Sequence, residues 1–222
     1  MRICEWRELG RIGYGAALQL QRELVEKRKH GLIPDQFLLL EHPHVITLGR
    51  NGRPEHLLAS PEALARAGIE FFHTDRGGDI TYHGPGQVVG YPILDLREWR
   101  KDVVAYVRGL EQVIIEALAE FGLRGEREAG RTGVWVQGRK IAAIGVHVSR
   151  WVTSHGFAFN VSTDLGYFRY IVPCGLTAPV TSMAELGVQT DLGRVHAALV
   201  RAFSRVFECE MIGPVIPVEQ AT

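Results

Sequence analysis

Apolar residues alternate between strand-like and helix-like spacing along the 222-residue chain. The helical spacing is strongest over residues 101–121, where apolar side chains recur every three or four positions before Gly122. Further on, two apolar runs flank the dipeptide Gly138-Arg139, which is typical of an antiparallel hairpin. Because such a hairpin accompanies interleaved strands and helices, this pattern predicts an α+β or α/β fold, with a mixed β-sheet flanked by helices.

The remaining elements are predicted from the same spacing. We expect further helices over residues 14–29, 61–67 and 192–207, and strands over residues 36–41, 45–48, 69–72, 88–91 and 156–161. Hydrophobic residues make up 46% of the chain, which at this length is sufficient for a sizeable core. Since no repeat or long linker interrupts the pattern, we expect residues 1–222 to form one catalytic domain.

Composition excludes several classes of protein. The 25 basic residues balance the 25 acidic ones, which argues against a protein that wraps nucleic acid. The three cysteines are widely spaced and contain no Cys-x-x-Cys pair, so they favour a reducing compartment over a disulfide framework. There is neither an apolar signal core at the N-terminus nor a run approaching the ~18 apolar residues of a membrane span. We therefore expect a soluble, cytoplasmic protein.

Cys174 is the candidate nucleophile. It lies between Pro173 and Gly175, and Pro179 follows shortly after, so this run favours a loop that can present a thiol to a cleft. A buried structural thiol is the alternative, since free cysteine is often buried. A serine hydrolase is disfavoured because the chain has no Gly-x-Ser-x-Gly elbow.

Residues 76–87 form a glycine-rich segment with four glycines and one proline. Glycines at this density let the backbone approach a ligand and point its amides at it. The spacing matches neither a phosphate-binding Walker loop nor a dinucleotide fingerprint. A tight hairpin loop without a ligand is the alternative. His83, inside the segment, is the histidine of greatest interest, and His155, beside Gly156, is the second.

Lys140 begins an alanine-rich strand after the Gly138-Arg139 turn. Its small neighbours Ala142, Ala143 and Gly145 leave room beside the strand, although most lysines are solvated surface residues. A partly desolvated ammonium has a lowered pKa and can exchange protons near neutrality. The histidines show no recognised metal-ligand spacing, so we predict no metal site.

Three separated motifs together resemble the lipoyl (octanoyl) transferases: residues 76–87, residues 138–145 and Pro173-Cys174-Gly175. The resemblance covers nearly the whole chain and implies the fold of the biotin and lipoate protein ligase catalytic domain. It implies transfer of an octanoyl or lipoyl group from acyl carrier protein to a lysine of a lipoyl domain, with no cofactor. It further implies an acyl-thioester on Cys174 and a Lys140 that lowers the pKa of that thiol.

The same resemblance assigns an acyl-binding site and the partners. The residues implied to contact the acyl chain are Arg76, Gly77, Gly78, Asp79, Ile80, Thr81, Tyr82, His83, Ala143, Ile144, Gly145, Gly156, Phe157 and Ala158. The implied donor is octanoyl-acyl carrier protein, and the implied acceptors are lipoyl domains of 2-oxoacid dehydrogenases and the glycine cleavage H protein. Both partners are expected to be acidic and the enzyme to be a monomer. Candidate docking charges are Arg127, Arg131, Arg139 and Arg150.

Two other functions remain open on this fold. A lipoate or biotin protein ligase activates its acid with ATP and needs no nucleophilic cysteine. A non-catalytic lipoyl-domain binding protein needs neither thiol nor amine. Cys174 and Lys140 favour the transferase over both, and ATP dependence distinguishes it from a ligase.

Overall fold

A computed structural model describes residues 1–172 and 179–215 of the chain. Cys174 and its neighbours Pro173 and Gly175 lie outside the described residues. In the described part the strands are β1 (Arg2–Arg11), β2 (Asp35–Glu41), β3 (Val45–Leu48), β4 (Glu70–His73), β5 (Ile80–His83), β6 (Gln87–Ile93), β7 (Val134–Val136), β8 (Arg139–Ser149), β9 (Val152–Asn160) and β10 (Cys209–Ile212). The helices are α1 (Tyr14–Lys29), α2 (Pro61–Arg66), α3 (Val103–Ala119) and α4 (Leu192–Phe207).

The larger sheet has seven strands in the order β10-β1-β2-β6-β9-β8-β7. Strand β1 is parallel to β10 and β2, whereas the pairs from β2 through β7 are antiparallel. Helix α1 covers one face of this sheet, and α3 and α4 pack together on the other. The predicted mixed sheet flanked by helices is therefore confirmed.

Strand β2 shows why the sheet is buried on both faces. Its residues Phe37 and Leu39 belong to the core under α3 and α4, while Leu38 and Leu40 belong to the core under α1. Successive side chains of a strand point to opposite faces, so a continuous apolar run supplies both cores.

The smaller sheet has three strands in the order β4-β3-β5 and a core of its own around Ile46 and Tyr82. Strand β3 is parallel to β4 and antiparallel to β5. Ser60 caps α2 beside this sheet by accepting a hydrogen bond from the amide of Ala63. The glycine-rich segment belongs to this sheet, because β5 lies inside it.

Most predicted elements match the structure within a few residues, but β1, β5 and β10 were not predicted. Strand β1 is rich in charged residues, and of its side chains only Cys4 is buried. Strand β5 was missed because it lies inside the glycine-rich segment, and glycines at that density favour the prediction of a loop. No helix within residues 1–172 and 179–215 is both long and apolar enough to cross a membrane.

Candidate active site

A cleft of about 230 Å³ lies between the two sheets, on the face of the large sheet that carries α1. One wall is the glycine-rich segment, and the other is formed by β8 and β9. The walls are joined directly, because the amide of Gly77 donates a 2.8 Å hydrogen bond to the carbonyl of Val146 in β8. The cleft therefore lies where the two sheets pack against each other.

Arg76 fixes the glycine-rich wall to strand β3. Its guanidinium is buried and donates to the carbonyl of Thr47 at 2.7 Å and to the Thr47 hydroxyl at 2.8 and 3.2 Å. A further hydrogen bond of 3.1 Å reaches the carbonyl of Gly77. The planar guanidinium reaches these acceptors from three separate nitrogens, whereas the three donors of a lysine ammonium share a single nitrogen.

The floor of the cleft is made of small residues on β8 and β9. Ala143 lies directly opposite Ala158, and Gly145 lies opposite Gly156. A side chain on Gly145 would place its Cβ 2.7 Å from the carbonyl oxygen of Gly77, closer than a real contact allows. Gly156 is close to another strand, because a Cβ there would lie 2.1 Å from the carbonyl oxygen of Gly90 in β6. Gly145 lets β8 approach the glycine-rich segment closely, and Gly156 does the same for β9 and β6.

The structure brings most of the predicted acyl-binding residues together around this cleft. Those that line it are Arg76, Gly78, Asp79, Ile80, Thr81, His83, Ala143, Ile144, Gly145, Gly156, Phe157 and Ala158. Gly77 and Tyr82 lie outside its lining. Gly77 supports the wall through its bond to β8. Tyr82 is fully buried in the small sheet, where its hydroxyl and the Nδ1 of His44 are 2.8 Å apart.

Lys140 lies at one end of the cleft. Its ammonium nitrogen is 5.2 Å from the ring centroid of Trp135, within the range of a cation–π contact. Its backbone donates to the carbonyl of Pro179 and accepts from the amide of Thr181, each at 2.9 Å. On the other side of the undescribed segment, the amide of Val172 donates to the carbonyl of His56 at 2.8 Å. The described residues that flank Cys174 are thus each bonded to the surroundings of the cleft.

Asp79 holds His56 in place beside the cleft. Its carboxylate accepts hydrogen bonds from the amides of Arg53 at 3.1 Å and Ile80 at 2.8 Å, and pairs with the Nδ1 of His56. One predicted site residue therefore connects the glycine-rich wall to the chain that precedes Cys174.

The opposite end of the cleft is lined by the buried polar side chains of His83 and Tyr91, and His42 lies behind them. His42 donates from Nδ1 to the carbonyl of Ile12 at 2.7 Å and accepts at Nε2 from the Tyr91 hydroxyl at 2.8 Å. Burial lowers the pKa of His42 to about 4 and raises that of Tyr91 well above its usual range. Burial also lowers the pKa of His83, whose Nδ1 lies 2.8 Å from the Gln87 side-chain oxygen. These side chains are therefore neutral near pH 7.

His155 completes that end from strand β9. Its Nε2 donates to the carboxylate of Asp75 at 2.8 Å, and its backbone has φ of 56°. Burial lowers the pKa of His155 although Asp75 opposes the shift, while the hydrogen bond from His155 lowers the pKa of Asp75. The pair is a neutral imidazole donating to an ionised carboxylate. A left-handed backbone at a non-glycine residue is typical of functional sites.

Several lining residues were not predicted to contact the acyl chain: Tyr14, Tyr91, Gly130, Arg131, Thr132 and His155. Tyr14 and Tyr91 give no local signal, because each reads as an ordinary apolar residue of a helix or a strand.

Among the residues described, no group of three or more His, Cys, Asp or Glu side chains is placed to hold a metal ion.

The four candidate docking arginines each have an acidic neighbour. Arg127 pairs with the buried Glu111 at 3.0 Å, while the pairs of the other three are Arg131–Glu128 at 2.8 Å, Arg139–Glu185 at 3.0 Å and Arg150–Glu26 at 3.5 Å. Of the four, only Arg131 lines the cleft. Their role in docking stays a prediction.

Comparison with known proteins agrees with this geometry. Residues 13–204 match the family model of the lipoyl protein ligase A/B catalytic domain. An octanoyltransferase of Solibacter usitatus is 64% identical over 212 residues, covering 96% of this chain and 96% of that protein. An octanoyltransferase of Gloeobacter violaceus is 53% identical over 210 residues, covering 93% and 92% of the two chains.

Solved structures show the same fold at low identity. A bi-partite lipoate protein ligase of Thermoplasma acidophilum has a TM-score of 0.79 at 17% identity, with 99% of this chain and 89% of that one covered. The biotin protein ligase of Aquifex aeolicus has a TM-score of 0.53 at 13% identity, covering 94% and 69%. The expected likeness to both kinds of ligase domain is confirmed. By its family match and its identity to these relatives, the chain belongs to the octanoyltransferases of the lipoyl protein ligase A/B catalytic-domain family.

Proposed function

We propose that this octanoyltransferase takes its acyl group from octanoyl-acyl carrier protein, holds it as a thioester on Cys174, and passes it to a lysine of a lipoyl domain. The observation that carries the proposal is the position of Lys140, which lines one end of the cleft and is bonded through its backbone to Pro179. Pro179 follows Cys174 by five residues. The backbone hydrogen bond between Lys140 and Pro179 supports a Cys174–Lys140 dyad at the mouth of the cleft.

The cleft suits a medium-length hydrocarbon chain. Its floor of Ala143, Gly145 and Ala158 leaves space beside the sheet, and Ile80 adds apolar surface. The histidines at the far end are neutral, so a methyl terminus there does not displace the hydration of a charge. We assign the acyl carbonyl to the Lys140 end, because a thioester on Cys174 must lie beside the dyad.

The first step forms the acyl-enzyme. A free thiol with a pKa of ~8.5 is only a few per cent thiolate near neutrality. The ammonium of Lys140 beside Cys174 lowers that pKa and raises the thiolate fraction. The thiolate attacks the thioester carbonyl, the bond to the pantetheine sulfur breaks, and that sulfur leaves with a proton supplied by Lys140. One thioester replaces another at nearly equal energy, so no ATP is consumed.

The second step forms the amide. Neutral Lys140 accepts a proton from the attacking lysine amine of the acceptor domain. The amine bonds to the acyl carbonyl, the bond to the Cys174 sulfur breaks, and the thiolate is restored beside the ammonium. Because an amide is more stable than a thioester, this step drives the overall transfer.

The partners follow from the chemistry of the two steps. The donor must present an acyl thioester, and the acceptor an exposed lysine on a compact domain, as lipoyl domains of 2-oxoacid dehydrogenases and the glycine cleavage H protein do. A structural neighbour is described with its E2 lipoyl domain, which supports an acceptor of this kind. Arg131 at the cleft is the docking charge best placed to contact an acidic partner.

Transfer without nucleotide tests the proposal. Purified enzyme, octanoyl-acyl carrier protein and an apo lipoyl domain should give octanoylated domain in the absence of ATP, with ping-pong kinetics. In the matched control, free octanoate with ATP and Mg²⁺ should give no product. Transfer that requires ATP and free octanoate would instead assign the chain to the ligase reaction of the same fold.

A further inference from the structure

His155 separates two cavities. The first is the cleft of about 230 Å³, and the second, of about 340 Å³, lies between α1 and the β8–β9 hairpin. The second cavity is lined by the apolar side chains of Leu18 and Val25 on helix α1 and, around them, by polar and charged ones that include Arg22, Glu26, Lys29, Asp75 and His147. His155 lines both cavities, so its side chain stands between them.

The side chain of His155 is held firmly in this position. It is 2% exposed, its amide donates to the Gln21 side-chain oxygen at 2.7 Å, and its imidazole donates to Asp75 at 2.8 Å. The ring also meets Tyr91 edge-on at a centroid distance of 6.2 Å. The backbone is thus held by Gln21 and the ring by Asp75 and Tyr91, so the side chain forms a rigid wall at a residue with a left-handed backbone.

The direction of the cleft relates this wall to the acyl chain. His155 pairs with Val146 across the hairpin, six residues along β8 from Lys140. At the usual rise of a strand, six residues span about 20 Å. The side chains of Lys140 and His155 both extend into the space between these two positions. The small residues Ala143, Ala158 and Gly145 lie between, and the ring of Phe157 belongs to the core on the other face of the sheet. His155 is therefore the first large side chain of β9 that a tail leaving the Lys140 end meets.

We propose that His155 limits acyl chain length by closing the cleft off from the second cavity. The inference rests on the proposed function, which sets the acyl carbonyl at the Lys140 end. Removal of the imidazole joins the two cavities and gives a longer tail a continuous path past Leu18 and Val25. His155 is thus a specificity-determining residue that excludes chains longer than the cleft.

The variant His155→Gly tests the wall directly, because glycine adopts the left-handed backbone without strain. Transfer to an apo lipoyl domain is measured with octanoyl-, decanoyl- and dodecanoyl-acyl carrier protein. The ratio of dodecanoyl to octanoyl rates should rise about tenfold, since the added methylenes become buried. His147→Ala is the matched control: it enlarges only the second cavity, so its ratio should equal that of the wild type.

A second variant covers the case in which His155→Gly does not fold. His155→Asn shortens the side chain and also tolerates a left-handed backbone, so a smaller rise in the same ratio is expected. Thermal unfolding shows which variants are folded. An unchanged ratio in a folded variant overturns the proposal, as does an equal rise in His147→Ala. Failure of the wild type to transfer the octanoyl group from octanoyl-acyl carrier protein would instead contradict the proposed function and this inference with it.

Discussion

The amide of Lys140 donates a 2.9 Å hydrogen bond to the carbonyl of Pro179, and the amide of Thr181 returns one of 2.9 Å to the carbonyl of Lys140. This short parallel pairing attaches the chain that follows Cys174 to the first residues of β8. Lys140 and Cys174 are 34 positions apart in the sequence, and the described residues that follow the cysteine motif, Pro179 to Thr181, lie beside Lys140. The proposed dyad depends on this arrangement.

Removing the Lys140 ammonium should make the Cys174 thiol less reactive. In Lys140→Ala, the rate of alkylation near pH 7 should fall about three- to tenfold, because less of the thiol is ionised. The rate is measured against pH with a small alkylating agent. Lys101→Ala, a change at an exposed lysine on the surface, is the matched control and should react like the wild type. Equal alkylation profiles for all three proteins would contradict the pairing.

Gly145 should tolerate no side chain. In Gly145→Ala the new methyl group meets the carbonyl of Gly77 at 2.7 Å, so the glycine-rich wall must shift. We expect octanoyl transfer to fall at least about tenfold and stability by about 1–3 kcal/mol, the usual range for overpacking. Gly15→Ala is the control, since a Cβ there meets only Phe72 at 3.8 Å and alanine favours a helix. Full activity in Gly145→Ala would show that the wall is not a rigid part of the site.

Arg76 should not be replaceable by lysine. Arg76→Lys keeps the positive charge but replaces the separate guanidinium nitrogens that contact Thr47 and Gly77 by one ammonium nitrogen in a different position. Octanoyl transfer should fall about tenfold or more, mainly through kcat/KM, because the wall loses its attachment to β3. Thr47→Val removes only the hydroxyl acceptor and should give a smaller loss. A larger loss in Thr47→Val than in Arg76→Lys would contradict this assignment.

His42 should make the fold sensitive to acid. Burial lowers its pKa to about 4 in the folded protein, against about 6.5 when unfolded, so the unfolded chain binds more protons between these values. The contribution of His42 to the free energy of unfolding is fully present above about pH 6.5 and decreases as the pH falls toward about 4. The loss between about pH 7 and pH 5 is about 2 kcal/mol.

Urea unfolding of the wild type and His42→Gln at both pH values measures this contribution. Glutamine cannot gain a charge, so the variant starts less stable but should lose about 2 kcal/mol less between about pH 7 and pH 5. His83 remains in both proteins, and so does His155, so their contributions cancel. Identical losses in the two proteins would show that His42 does not titrate on unfolding.

Much of the fold follows from local pattern. The helical spacing over residues 101–121 and the apolar run over residues 36–41 predict α3 and β2 correctly. In each of these elements the buried side chains produce a pattern of apolar residues that can be recognised in the local sequence. Strand β1 and the edge strand β10 were missed for the opposite reason. Most of their side chains are exposed or half-buried, and partners far away in the sequence stabilise them.

The candidate site divides in the same way. Motif residues such as Arg76, Ala143 and Gly156 line the cleft, and their contact with an acyl chain stays a prediction. Tyr14 and Tyr91 could not be predicted, since they reach the cleft only because α1 packs across β6 and β9. Tyr82, by contrast, alternates with cleft residues in β5 and points into the small sheet. Sequence proximity to a motif therefore did not separate the residues that contact the cleft from those that support it.

Intact-mass analysis of the enzyme after incubation with octanoyl-acyl carrier protein, without acceptor, tests the acyl-enzyme most directly. The account predicts one added octanoyl group, mapped to Cys174 and not to the buried Cys4 or Cys209. The adduct should disappear when apo lipoyl domain is added and should not form in Cys174→Ala. Transfer that proceeds without an adduct, or an adduct that survives in Cys174→Ala, would contradict the covalent mechanism.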